Sequence, residues 1–148
     1  MELFQTDLIK TDYPAIDKKS CLNEMVEFLH EQGVVSSTEE FLHAIWEREN
    51  IMSTGIGRKI AIPHAHSSVV KDFKVAVYLL DNQLEFDSID GEPVKLVMML
   101  AVPVEFENTY MKILSKISNF LRNPKKREAL LEAKDKDEIL QILKGMEI

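Results

Sequence analysis

The sequence predicts a single α/β domain in which a mixed central β-sheet is flanked by helices on both sides. Three observations lead to this prediction. The length of 148 residues suits one domain with an ordinary core. Helical and extended apolar patterns alternate along the chain, and neither a repeat, a low-complexity tract nor a linker divides it. One folded unit over residues 1–148 is therefore expected.

Two amphipathic helices are predicted in the first third of the chain. Between Ser20 and Gln32 the apolar residues fall on one helical stripe, and Gly33 is a typical C-terminal stop. The second helix begins at Ser37, which has capping-box spacing, and its apolar stripe carries the chain to Arg48. This helix brings Arg48 to the edge of the glycine-rich segment that follows.

Apolar runs predict three strands in the middle of the chain: Ile60 to Ile62, Phe73 to Leu80 and Val94 to Val102. The third run is almost continuously apolar, as expected of a central strand that is buried on both faces. Turn-forming residues occupy Asp81-Asn82 and the stretch from Asp87 to Gly91. The intervening Leu84 to Phe86 should therefore form a short strand at most.

Three helices are predicted in the last third of the chain. Apolar residues from Tyr110 to Leu121 recur at helical spacing and define a long helix. Asn123-Pro124 has the form of an N-cap with proline at the first helical position, and it opens a short helix to about Ala133. A capping pattern that begins at Asp135 opens the last helix.

Composition limits the possible partners. The chain carries 18 Lys and Arg against 25 Asp and Glu, a formal net charge of -7 that argues against nucleic-acid binding. The longest apolar run, Leu96 to Val104, has about half the residues of a membrane helix, so no direct membrane insertion is expected. Cys21 is the only cysteine and the first residues lack an export leader, which together predict a cytoplasmic location.

The segment from Thr54 to Ala65 combines glycines, two cations, a short apolar run, a proline and His64. A neutral imidazole is a nucleophile, and with an unperturbed pKa near 6.5 much of His64 would be neutral at cytoplasmic pH. Pro63 restricts the preceding residue to extended geometry and so helps to fix the approach to His64. The segment therefore predicts a site where an imidazole attacks a phosphoryl group.

The same segment offers groups that can hold phosphate oxygens. The backbone N–H groups around Gly55 and Gly57 can point into one concavity, and the hydroxyl of Thr54 can donate to an oxygen. The candidate charge partners are Arg48, Arg58 and Lys59. The alternative is a tight glycine turn into a strand with solvated cations. The spacing excludes a nucleotide P-loop, because no Ser or Thr follows the lysine.

Five runs carry a resemblance to a known family. Three precede the central strand: Arg48-Glu49, Thr54-Gly55-Ile56-Gly57 and Ile60-Ala61-Ile62-Pro63-His64-Ala65. Two more lie at the beginning and the end of that strand: Asp90-Gly91-Glu92-Pro93-Val94 and Ala101-Val102-Pro103. Together they resemble the fructose/mannitol-type EIIA domain of the bacterial phosphoenolpyruvate-dependent sugar phosphotransferase system, whose relatives include nitrogen-regulatory EIIA proteins. The resemblance covers essentially the whole chain and implies a mixed sheet flanked by helices.

The resemblance implies an activity. In the family's pattern His64 accepts a phosphoryl group from an HPr-like phosphocarrier and passes it to an EIIB domain, usually to a cysteine, during sugar uptake. Arg48 matches the family's active-site arginine, which steadies the phosphate charge. The resemblance implies neither a metal nor a diffusible cofactor. The alternative is a regulatory nitrogen-type EIIA protein that signals its phosphorylation state by binding partner proteins.

One departure from the family pattern concerns a second active-site histidine, which relatives commonly have at the start of the helix after the Ala-x-Pro segment. Here that place holds Tyr110, and no histidine lies beyond residue 66. Tyr110 can donate a hydrogen bond but does not become a cation near neutral pH. Its two interpretations are a residue that lines the site and a residue of the core. The missing histidine, with the absence of a fused EIIB domain, favours the regulatory alternative.

The remaining candidates have simpler interpretations. His64 and His66 lack a third ligand nearby, so no metal site is predicted and a metal-dependent hydrolase is poorly supported. His66 is expected to be an exposed neighbour that borders the site. His30 and His43 are expected on helix surfaces, and Cys21 is expected to be structural. The run from Lys125 to Arg127 is expected to be a solvated helix start.

Overall fold

A mixed sheet of six strands forms the centre of the part of the chain that the computed structural model describes, residues 2–146. The strands are β1 Ile9–Tyr13, β2 Gly55–Gly57, β3 Ile60–Ala61, β4 His64–Ser67, β5 Lys74–Leu84 and β6 Val94–Pro103. The helices are α1 Lys18–Glu31, α2 Thr38–Glu49, α3 Tyr110–Arg122, α4 Pro124–Leu131 and α5 Lys136–Leu143. Two short 3-10 helices, Thr6–Leu8 and Val104–Phe106, precede β1 and α3.

Strand β6 organises the sheet, whose order is β1-β5-β6-β3-β2. It pairs antiparallel with β5 on one side and parallel with β3 on the other. Strand β4 pairs parallel with β6 further along the same edge, with His64 opposite Leu100. The long apolar run of β6 explains its central position, because both of its faces are buried. The sheet is therefore mixed, as the sequence predicts.

Alternating residues of β6 divide the core into two layers. Val97, Met99 and Ala101 pack with buried residues of α1 and α2 on one face of the sheet. Leu96 and Leu100 pack on the other face with residues of α3, α4 and α5. This two-residue period places helices on both sides of the sheet. The predicted fold class is confirmed.

Polar side chains cap the helices where the sequence predicts. The side chains of Ser37, Asn123 and Asp135 each accept a hydrogen bond from the backbone N–H three residues later, at 3.2, 3.1 and 2.8 Å. Helix α1 begins slightly before its predicted start, because Asp17 is the N-cap and accepts the Ser20 N–H at 2.7 Å. These caps satisfy N–H groups that a helix leaves free at its first turn.

Strand β5 differs from the sequence prediction. The predicted turn at Asp81-Asn82 is wrong, because β5 continues through it to Leu84. The side-chain amide of Asn82 replaces a backbone partner for Ala15: its oxygen accepts the Ala15 N–H at 2.9 Å, and its NH₂ donates to the Ala15 carbonyl at 2.7 Å. A bond between residues so distant in sequence stabilises an extended conformation that turn propensity alone disfavours. The sequence patterns also did not predict β1.

Among residues 2–146, no helix combines the length and the hydropathy that crossing a bilayer requires.

Candidate active site

His64 lies at the first position of β4, directly after Pro63, and its side chain is buried with 5% of the residue exposed. Its Nδ1 is 2.9 Å from the carbonyl oxygen of Ile62. A carbonyl only accepts hydrogen bonds, so Nδ1 carries the proton of the neutral ring. Nε2 then holds the free lone pair, and it makes no hydrogen bond within the described region. The backbone thus fixes the tautomer in which Nε2 is the nucleophile.

The surroundings of His64 favour its neutral form. Burial is the largest cause and lowers the pKa of His64 below its ordinary value. The hydrogen bond to Ile62 and the charge of Glu49 act in the opposite direction, whereas the charge of Arg48 lowers the pKa further. The net shift is downward, so the imidazole keeps a free lone pair at pH values where an exposed histidine is partly protonated.

This shift predicts a pH dependence. The pKa of His64 is lower in the folded than in the unfolded chain, so the unfolded chain binds more protons below about pH 6.5. The contribution of His64 to the free energy of unfolding is therefore present above that pH and is lost as the pH falls through the folded pKa. An NMR titration of the His64 ring should have its midpoint below 6.5. A midpoint above that value would contradict the assigned environment.

Arg48 approaches His64 from the last turn of α2. It is half-buried, and its Nη1 donates a hydrogen bond to the carbonyl oxygen of Met52 at 2.8 Å. Within residues 2–146 its other guanidinium N–H groups make no hydrogen bond, and they are free to bind an anion. Both side chains line one open pocket of about 350 Å³. Its other lining residues are Ala44, Glu47, Ile51, Ala65, His66 and Tyr110.

Glu49 is a buried carboxylate beside this pocket. Its role was not predicted from the sequence. Its side chain is 1% exposed and lies 2.9 Å from Nζ of Lys18. It also accepts the backbone N–H of Thr54 at 2.9 Å and the Thr54 hydroxyl at 2.6 Å. Glu49 therefore fastens the end of α2 to the chain that returns towards β2. One signal was available, because Glu49 follows Ile45 by four residues on the buried stripe of α2.

Thr54, Gly55 and Gly57 do not line the pocket. The N–H and the hydroxyl of Thr54 are both bonded to Glu49. Gly57 has a φ of 97°, and a Cβ atom there would lie 2.9 Å from the carboxylate of Asp90. These positions explain the glycines and the threonine by local packing. Their role as phosphate-binding residues stays a prediction.

Tyr110 lines the pocket as the first residue of α3. Its ring centroid lies 6.1 Å from that of His64 and 5.8 Å from that of His66. It is half-buried and also packs against the apolar layer between the sheet and α3. Tyr110 therefore both lines the site and packs in the core, so each of its two interpretations holds in part. His66 is exposed, and its Nε2 is 3.6 Å from the carboxylate of Glu107.

Several other predicted residues lie away from the pocket or form no site. Arg58 and Lys59, which were candidate phosphate partners, occupy the turn between β2 and β3 and do not line it. Cys21 is buried in the core, and burial raises the pKa of its thiol to about 12. Within the described region, no group of three His, Cys, Asp or Glu side chains is arranged to hold a metal ion.

These features define a class of protein: a small α/β domain that presents a buried, neutral imidazole beside an arginine at the edge of its sheet. Comparison with known proteins identifies the family. Residues 2–146 match the family model described as phosphoenolpyruvate-dependent sugar phosphotransferase system, EIIA 2. The chain belongs to this family, as the resemblance implied.

Two relatives show what this chain is similar to. It is 34% identical over 142 residues to the fructose-specific EIIABC component of Bacillus subtilis, covering 96% of this chain but 22% of that protein. This chain therefore spans about a fifth of the length of that relative. It is 32% identical over 137 residues to the fructose-specific EIIA component of Haloferax volcanii, covering 93% of this chain and 89% of the relative.

Solved structures have the same fold. The nitrogen regulatory protein IIA-Ntr from Neisseria meningitidis superposes with a TM-score of 0.88 at 29% identity, covering 94% of each chain. The IIA mannitol enzyme of Escherichia coli, solved in complex with phosphorylated IIB mannitol enzyme, superposes with a TM-score of 0.81 at 22% identity. That match covers 97% of this chain and 98% of the other. At this identity the second structure supports the fold alone.

Proposed function

We propose that this protein is a phosphocarrier. Nε2 of His64 accepts a phosphoryl group from an HPr-like phosphocarrier and passes it to an EIIB domain during sugar uptake. The observation that carries this proposal is the hydrogen bond between Nδ1 of His64 and the Ile62 carbonyl, which leaves Nε2 as the nucleophilic nitrogen. Membership of the EIIA 2 family supports the reaction class.

His64, the Ile62 carbonyl and Arg48 each have a role in the proposed transfer. The Nε2 lone pair of His64 forms a bond to phosphorus while the bond between phosphorus and the donor's nitrogen breaks. The ring becomes more positive as this bond forms, and the Ile62 carbonyl holds the proton on Nδ1. Arg48 stabilises negative charge on the phosphoryl oxygens. In the onward step a nucleophile of the EIIB domain attacks phosphorus, and His64 leaves as a neutral imidazole.

The surface around the pocket suits transient docking. Ile51 lines the pocket and is 79% exposed, and the neighbouring Met52 is 62% exposed. Exposed apolar side chains beside a polar site are typical of protein contact surfaces. The net charge of -7 suits a donor with a basic face. The fructose-specific EIIABC relative of Bacillus subtilis, whose name includes an EIIB part, supports an EIIB domain as the second partner.

Phosphorylation of the purified protein tests the proposal. Incubation with phosphoenolpyruvate, enzyme I and HPr should add the mass of one phosphoryl group, and this modification should be labile in acid. Addition of an EIIB domain should then remove it from this chain and label EIIB. A protein that stays unmodified, when the same donors label another EIIA protein in parallel, would contradict the proposal.

Arg48→Gln is expected to slow phosphoryl acceptance by about 10² to 10³, because removal of one preorganised charge partner costs catalysis this much. Arg48→Lys should recover part of the rate, since it keeps the charge but loses the planar guanidinium. The measurement is the rate of labelling under excess phosphorylated donor. A rate of Arg48→Gln within about threefold of the wild type would remove Arg48 from the reaction.

Tyr110 is expected to limit onward transfer. Tyr110→His introduces an imidazole at a ring position 6.1 Å from His64, where it can donate to a phosphoryl oxygen and carry positive charge. We expect the rate of transfer to EIIB to rise about tenfold or more, in the range that a positioned acid or charge provides. Tyr110→Phe is the matched control and should leave that rate near the wild-type value. Equal rates in all three proteins would assign Tyr110 to packing alone.

A regulatory function is the second candidate. The similarity to the nitrogen regulatory IIA-Ntr structure, at 29% identity, favours it. So does the pocket residue Tyr110, which stands where relatives commonly have a second histidine. In this role the protein takes the same phosphoryl group on His64 but signals by binding partners in one phosphorylation state. Pull-downs with phosphorylated wild type and with His64→Ala distinguish the two functions. Partners that bind both proteins equally would count against regulation.

A further inference from the structure

A second cleft lies away from the His64 pocket, between the β2–β3 turn and the C-terminal end of α3. We call it the hairpin cleft; it has a volume of about 340 Å³ and shares no lining residue with the His64 pocket. Three arginines and a serine line it together with apolar side chains: Arg58, Arg122, Arg127, Ser118, Ile56 and Ile89. Within the described region no carboxylate lines this cleft. The cleft is thus a local concentration of positive charge in a chain of net charge -7.

Arg127 is the strongest evidence for a ligand. Its place in a charged run predicts a solvated side chain, but Arg127 is only 8% exposed, and that prediction is wrong. Its Nη1 donates to the carbonyl oxygens of Leu121 and Arg122 at 3.1 and 3.3 Å, at the end of α3. Its other guanidinium N–H groups have no hydrogen bond, and it has no ion pair among residues 2–146. These N–H groups are therefore open to the cleft and can donate hydrogen bonds to an anion.

Arg58 belongs to the β2–β3 turn, which forms part of the cleft lining. It has a φ of 56° and Lys59 a φ of 72°, so the central positions of the β2–β3 turn are both left-handed. Glycine or asparagine is favoured at such positions. The carboxylate of Asp90 fixes the turn by accepting the Arg58 backbone N–H at 2.9 Å. The backbone of the turn is thus fixed at Arg58, a residue of the cleft lining, although its φ disfavours arginine.

The neighbouring surface restricts where an anion can bind. A larger cleft of about 510 Å³ shares Arg58 and Arg127 with the hairpin cleft. In its lining the carboxylates of Glu92, Glu128 and Glu132 offset most of the positive charge of the two arginines, Lys59 and Lys95. The hairpin cleft combines arginines with exposed apolar surface, since Ile89 is 69% exposed. Its size falls within the range of pockets for small organic ligands.

We infer that the hairpin cleft binds a small organic phosphate monoester. The guanidinium groups of Arg58, Arg122 and Arg127 bind the phosphate oxygens, and the hydroxyl of Ser118 donates a further hydrogen bond. Ile56 and Ile89 contact the apolar part of the ligand. This site is independent of the proposed phosphorylation of His64.

Titration with phenyl phosphate tests the inference, because this probe joins a phosphate to an apolar ring. We expect saturable binding, with amide NMR shifts concentrated at Arg58, Ser118 and Arg122 rather than at His64. Benzoate and phenol, at matched ionic strength, should bind at least about tenfold more weakly. Shifts centred on His64, or benzoate affinity equal to that of phenyl phosphate, would overturn the assignment.

A paired set of variants makes the test specific. Arg127→Gln also removes the hydrogen bonds to the end of α3, so the primary variant is Arg58→Gln/Arg122→Gln, whose two side chains are exposed. It should weaken phenyl phosphate binding about tenfold or more. Lys116→Gln is the matched control, since it removes an exposed cation of α3 outside the cleft. Equal affinity in the wild type and the double variant would overturn the site.

Discussion

His64→Ala is expected to abolish phosphorylation of this protein. No other side chain in the pocket offers a neutral imidazole nitrogen held by a backbone carbonyl, and without His64 the covalent intermediate cannot form. The loss of labelling rate should therefore be at least about 10³-fold, the scale seen when a catalytic nucleophile is removed. The measurement is intact-protein mass after incubation with phosphoenolpyruvate, enzyme I and HPr.

His66→Ala is the matched control for this variant. His66 lies two residues further along β4 and lines the same pocket, but its side chain is 40% exposed and faces the carboxylate of Glu107. The His66→Ala protein should therefore be phosphorylated on His64 at a rate near that of the wild type. Labelling that survives His64→Ala, or is lost only with His66→Ala, would place the nucleophile elsewhere.

Glu49→Ala is expected to destabilise the fold more than any other single change near the pocket. It leaves Nζ of Lys18 and two donors of Thr54 without the carboxylate that they share. Breaking a buried charged network in this way lowers the free energy of unfolding by about 3 to 5 kcal/mol. Glu49→Gln keeps an acceptor for Thr54 and should cost about 1 to 3 kcal/mol. Urea unfolding followed by circular dichroism measures both values.

Glu47→Ala provides the comparison on the same helix. Its carboxylate is 68% exposed and, among residues 2–146, forms an ion pair only with His43, at 2.7 Å, so the free energy of unfolding should change by about 0.5 kcal/mol or less. The difference between the two alanine variants isolates burial, because both remove one carboxylate from α2. If Glu49→Ala cost no more than Glu47→Ala, the buried network would not hold the end of α2.

The helices and the central strand could be predicted because their signals are local. The apolar run of β6 and the caps at Ser37, Asn123 and Asp135 act over a few residues and are visible in the sequence. The extension of β5 through Asn82 could not be predicted in this way. It depends on hydrogen bonds to Ala15, and no local pattern reports a partner so far along the chain.

The candidate site was predictable in part for the same reason. The proline before His64 and the position of Arg48 at the end of a helix indicated a nucleophile and a charge partner. The surroundings of Thr54 and Arg127 were not predictable, because the sequence does not show which carboxylate or carbonyl will approach them. Thr54 bonds to Glu49, and Arg127 bonds to the end of α3. Polar residues acquire such roles from tertiary contacts rather than from periodicity.

The nitrogen that carries the phosphoryl group tests the central claim most directly. Protein with ¹⁵N-labelled histidine, phosphorylated through HPr and kept at alkaline pH, can be analysed by NMR correlations between the ring protons and the two ring nitrogens. We expect that one histidine is modified, that it is His64, and that phosphorus is bonded to Nε2 while the proton on Nδ1 stays hydrogen-bonded to the Ile62 carbonyl. Phosphorus on Nδ1 of His64, or on any other histidine, would contradict it.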